Sequence, residues 1–120
     1  MTNGSTYNLE GRTYDFAVAC RDLSRLLIKN IANFEYSKQL IRSSGSVAAN
    51  YIEANESLSK KDFLHKIKIC LKEAKESRLW LKLFYADFNS EGQRNILINE
   101  ATELIKIFAA IVSRCNVARV

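Results

Sequence analysis

SKKDFLHKIKICLKEAKESRLWLKLF, residues 59–84, is the stretch whose reading decides the fold. Ser59 and Asp62 form a capping-box-like pair, with Asp in place of the usual Glu or Gln. Leu58 and Phe63 flank that pair at the spacing of a hydrophobic staple. Phe63, Ile67, Cys70, Leu71, Ala74, Leu81 and Phe84 follow at steps that keep apolar side chains on one side of a helix. The pattern predicts a long amphipathic helix that ends near Ala86. On the other side, Lys61, His65, Lys68, Lys72, Lys75 and Lys82 recur at steps of three and four, with Leu79 filling the one gap.

The neighbouring segments read the same way. Downstream, Asp87-Phe88-Asn89 makes a turn, and Ser90 with Gln93 offers a second capping box. The helix that follows carries Leu97, Ala101, Leu104, Ile105, Phe108, Ile111, Val112 and Cys115 on one face. Upstream, a helix from about Glu35 to Asn55 has the inner stripe Tyr36, Leu40, Ser44, Val47 and Tyr51. Its middle is made of small residues around Gly45, which reads as a tight helix–helix contact, with a loop at Gly45 as the alternative. The first helix spans about Leu9 to Ile31, with Phe16, Cys20, Leu23, Leu27 and Ile31 inward. Ala32-Asn33-Phe34 connects it to the second, Asn33 being the candidate N-cap. Short connections between long helices favour antiparallel neighbours. The expected fold is all-α, an antiparallel up-down four-helix bundle over residues 9–117, preceded by a flexible arm over residues 1–8.

Composition agrees with this reading. The 120 residues include no proline and only 4 glycines, which leaves little material for the turns of sandwiches or barrels. The most apolar stretch, Leu104 to Val112, is short and holds Lys106, so no membrane-spanning helix is expected. The polar start lacks the apolar segment of a signal peptide, which points to the cytoplasm. Cys20, Cys70 and Cys115 are odd in number and far apart, and each sits among apolar residues. They read as buried free thiols rather than as a disulfide or metal framework. A single histidine leaves little for zinc or for histidine-based catalysis. Asp62-x-x-His65 is half a helical metal pair, and Asp62 is better explained as part of the cap. The expectation is no catalytic residue, no metal and no cofactor.

Function enters through charge. The net charge is +5, and eight of the 18 basic residues fall between Lys60 and Lys82. Arg21, Arg25 and Lys29 repeat the i, i+4 pattern on the first helix. Like charges at that spacing repel by a few tenths of a kcal/mol per pair, so stability gives no reason to stack them. A polyanion would turn that repulsion into phosphate contacts. Arg21, Arg25, Lys29, Lys61, Lys68, Lys72 and Lys75 are therefore the candidate nucleic-acid-binding residues. The alternative is a solvated face, partly neutralised by Glu73, Glu76 and Asp22. The stripe has no aromatic interleaving, so RNA or DNA would be held by phosphate and shape rather than by base stacking. Arg42, Asn50, Glu53 and Glu76 form a second group, read as a structural polar network rather than a ligand site. Ile69, Trp80 and Leu83 lie off the core stripe, either as a subunit contact or as the edge of a wide core.

Three segments are more specific than generic bundle sequence: QLIRSSGSVAANYIEA at residues 39–54, SKKDF at residues 59–63 and KEAKESRLWL at residues 72–81. Together they resemble the bacterial four-helix bundle family of 23S rRNA intervening-sequence proteins, to which the accessory variability proteins of diversity-generating retroelements are related. The likeness runs from about Leu9 to Ile111 and is strongest between Gln39 and Leu83. Ala48 stands where that family usually has Gly, and Leu79 where an aromatic is common. The resemblance implies an antiparallel bundle that assembles into a homopentamer. It implies basic surfaces, which in the retroelement relatives bind nucleic acid and a reverse transcriptase. Arg42, Asn50, Glu53, Glu76 and Trp80 match motif positions to which the resemblance attaches no catalytic role. A protein-interaction scaffold, for example for a reverse transcriptase, is the alternative reading.

Overall fold

The computed structural model describes residues 8–118. It contains α1 (Leu9–Leu23), α2 (Ile31–Asn55), α3 (Lys60–Leu83) and α4 (Glu91–Ala118), and no strand among the described residues. Of the expected arm, only Asn8 is described, and it directly precedes α1. Its side chain accepts the Gly11 N–H at 3.1 Å and caps α1. Residues 1–7 and 119–120 lie outside the described residues.

Each later helix also starts on a side-chain cap. Asn30 accepts the Asn33 N–H at 2.8 Å, and Ser59 accepts the Asp62 N–H at 3.1 Å. Before α4, the buried Ser90 and the exposed Asp87 serve each other. Asp87 N–H donates to Ser90 Oγ at 3.1 Å, while Ser90 N–H and O–H donate to Asp87 Oδ1 at 3.2 and 3.0 Å. Ser90 is thus paired with Asp87 rather than with Gln93 as expected. The staple at α3 is not made either: Phe63 is half-buried, but Leu58 is 99% exposed.

α1 is shorter than the periodicity predicts. It stops at Leu23, and residues 24–30 form a turn and an extended segment. Asn30, not Asn33, is the N-cap of α2. Ile31, expected inside, begins α2 on its outer side and is 83% exposed. Asn33 has a different task and is almost wholly buried. Its Nδ2 donates to Ile28 O and Tyr85 O, both at 2.8 Å, and its Oδ1 accepts the Tyr85 N–H at 2.9 Å. One carboxamide therefore ties the α1–α2 connection to the α3–α4 connection. Arg94 completes this end by donating to Phe84 O at 3.0 Å.

The helices run antiparallel in sequence order. Val47 meets Cys70, Ser43 meets Ser77 and Tyr36 meets Phe84, so one number rises as its partner falls. α2 packs on α1 and α3, and α4 on α3 and α1, while the diagonal pairs α1/α3 and α2/α4 make no close backbone approach. The core is filled by Phe16, Leu23, Leu40, Ile67, Leu81, Leu104 and Phe108, each worth roughly 1.5–3 kcal/mol of burial. The small residues of α2 act through Ser43, which pairs with Ser77 Oγ at 2.8 Å, and through the buried Ser44. Gly45 is not at the contact: a Cβ there would meet nothing within 4 Å. Cys20 and Cys70 are buried, whereas Cys115 is only half-buried, unlike the expectation for all three.

Candidate nucleic-acid interface

α3 displays its basic stripe as a continuous solvent face. Lys61, His65, Lys68, Lys72, Lys75 and Lys82 are all exposed, over a rise of about 30 Å of helix. None of these lysines makes an ion pair among the described residues. The carboxylates nearest in sequence turn elsewhere. Glu73 is only 8% exposed and accepts from Arg42 Nη2 at 3.2 Å. Glu76 also takes Arg42, and it accepts the Trp80 indole N–H at 3.0 Å. Burial raises the Glu76 carboxyl, but the Trp80 and Arg42 hydrogen bonds and the charges of Arg42 and Lys72 outweigh it and hold the group below its ordinary value. Glu73 and Glu76 are thus drawn to the α2–α3 seam, leaving Asp62 in the first turn as the exposed acid of α3, and the stripe lysines face water without ion pairs among the described residues.

The other basic residues are placed differently. Arg21 is the last-turn cation of α1 and pairs with Asp22 at 3.1 Å. Arg25 and Lys29 are exposed but lie in the α1–α2 connection, so the expected i, i+4 column on one helix does not exist. Its cause is the early stop of α1. α1 also sits diagonally from α3, so Arg21 leaves the bundle on another side from the α3 stripe. The seven candidates form two patches rather than one face.

The polar group divides as well. Arg42 and Glu76 meet, and Glu73, expected only to neutralise the basic face, joins them as a third member. Glu53 instead pairs with Lys66 at 2.7 Å, and Asn50 donates to Ser46 O and Ser46 Oγ on its own helix at 2.9 and 3.0 Å. Of the candidate contact residues, Trp80 packs against the core and stacks on Tyr36 with ring centroids 5.9 Å apart. Ile69 is half-buried and Leu83 is exposed. A longer apolar surface runs along the outside of α2. Ile31, Phe34, Ile41 and Ile52 are all exposed there, and Phe34 is 63% exposed. Next to it, a groove of about 550 Å³ lies between the start of α2 and the α1–α2 connection, with Leu27 and Ile28 on its wall. Among the described residues no three of His, Cys, Asp and Glu come together as metal ligands. No helix there is long and apolar enough to cross a membrane.

These features define a class: an antiparallel four-helix bundle whose third helix carries an exposed basic outer face. Residues 8–110 match the family described as 23S rRNA-intervening sequence protein, and the chain belongs to that family. It is similar to a solved structure from Bacteroides thetaiotaomicron VPI-5482, described as a protein with unknown function from the S23 ribosomal protein family. The two share 31% identity and a TM-score of 0.72, over 86% of this chain and 96% of the other. No curated protein matches the chain.

Proposed function

We propose that this chain is a non-enzymatic, self-associating bundle of the cytoplasm that holds RNA or DNA by its phosphates through α3. The observation that carries the reading is the stripe Lys61, Lys68, Lys72 and Lys75, exposed and without ion pairs among the described residues, with Glu73 and Glu76 paired to Arg42. Such a row repels itself in isolation and gains when counterions are released by a polyanion. Arg21, Arg25 and Lys29 form a second, smaller contact region. Filter binding with a structured RNA tests this. The wild-type chain is expected to bind at low salt, and a Lys68→Glu/Lys72→Glu/Lys75→Glu variant to bind far more weakly. Binding that is absent at low salt, or unchanged in the variant, rejects the proposal.

Self-association as a homopentamer is what the family resemblance implies, and the exposed apolar side of α2 supports it. Four large apolar side chains along one solvent-facing helix are a contact surface rather than scattered exposure. Light scattering should give about five times 13.7 kDa for the wild type and a smaller particle for Phe34→Glu/Ile41→Glu. A wild-type monomer at micromolar concentration rejects it. The second reading is a scaffold, for example for a reverse transcriptase, in which the same α2 side and its groove take a protein partner. A polymerase pulled down from the native host after nuclease treatment, with no RNA or DNA binding by the purified chain, favours the scaffold.

A further inference from the structure

At the end of the bundle away from Asn33, the α2–α3 connection, the start of α3 and the last turns of α4 enclose a cleft of about 640 Å³. Its apolar wall is Leu58, Phe63, Leu64 and Cys115. Lys60, Lys61 and Arg114 also line it, and no carboxylate does among the described residues. None of the three cations makes an ion pair among the described residues. The volume falls within the range of small-ligand sites, which are mostly apolar with a few placed polar groups. Leu58 stands 99% exposed beside Phe63 and Leu64. Lys60 and Arg114 come from different helices and belong to neither patch assigned to nucleic acid. A nucleotide phosphate would satisfy the charge but leave the aliphatic wall wet. A ligand with one anionic head and an alkyl body satisfies both.

We propose that this cleft binds a free single-chain amphiphilic anion, a fatty carboxylate, with its head on Lys60 and Arg114 and its chain along Leu58, Phe63 and Leu64. Cys115 provides the readout. It is half-buried in the cleft wall, while burial pushes the Cys20 and Cys70 thiols up to about 12 and hides them. Labelling of the native full-length chain with a disulfide reagent therefore reports on Cys115. Decanoate, kept below its micelle concentration, is expected to slow that labelling about tenfold when present at about ten times its dissociation constant. Decanol, which lacks the charge, should not protect. A Lys60→Glu/Arg114→Glu variant, shown to be folded by circular dichroism, should label at one rate with or without decanoate. The proposal is overturned if decanoate leaves the wild-type rate unchanged, if decanol or the double variant shows equal protection, or if only phosphatidylglycerol vesicles protect, which would assign the cleft to a membrane surface.

Discussion

Asn33 ties two connections of the bundle together through one side chain. Its three hydrogen bonds to Ile28 and Tyr85 join two connections far apart in sequence, and the Asn33 side chain is itself almost wholly buried. A buried backbone group left without a partner costs about 1–3 kcal/mol. Asn33→Ala is therefore expected to lower the unfolding free energy by about 3 kcal/mol in urea, and a loss below about 0.5 kcal/mol would contradict this role. Glu76 gives a pH signature at the same scale. Its carboxyl is lower in the folded than in the unfolded chain, so its contribution is present above the unfolded value and lost as pH falls through the folded one. The urea midpoint should drop on acidification below the ordinary glutamate range. The emission of Trp80, the one tryptophan, should change in the same window because its indole N–H bonds that carboxylate. Glu76→Gln should remove this part of the pH dependence; an unchanged profile would show that other acids set it.

At the scale of the helices, α3 was the most legible and α1 the least. α3 announces itself by Ser59 at its start and by an apolar stripe that holds as far as Phe84, and the structure keeps both. The end of α1 was hidden because Leu26, Leu27 and Ile28 continue apolar content past the true stop, and because Asn30 and Asn33 are equally good caps by residue type. Only the fold distinguishes them, since Asn33 is needed for the tie to Tyr85. The basic stripe was legible because it depends on helical period alone. The turn of Glu73 and Glu76 toward Arg42, and the diagonal placing of α1, were not, because they depend on which helices become neighbours. Gly45 belongs to the same class of error. Small residues in mid-helix suggest a close approach, yet Ser43 and Ser44 make it and the space beside Gly45 is open. Gly45→Ala should stabilise the chain by about 1 kcal/mol and raise Tm by roughly 4 °C. A lowered Tm would mean that another surface closes on α2 at that point.

For the whole molecule, the arrangement of helices decides how charge is presented. α3 and α1 are diagonal, so the bundle offers one long basic face and, elsewhere, the smaller set of Arg21, Arg25 and Lys29. Assembly through the apolar side of α2 would leave the α3 stripe outward and multiply it. Five chains of net charge +5 would carry about +25 on one particle, enough to concentrate a polyanion near the surface before any close contact forms. The most direct test of phosphate binding through α3 is the slope of log affinity for a structured RNA against log salt concentration. Contacts from Lys61, Lys68, Lys72 and Lys75 predict a slope of about −3 to −4 per chain, flattened by about 3 in the Lys68→Glu/Lys72→Glu/Lys75→Glu variant. A slope near zero, or the same slope in wild type and variant, would contradict it.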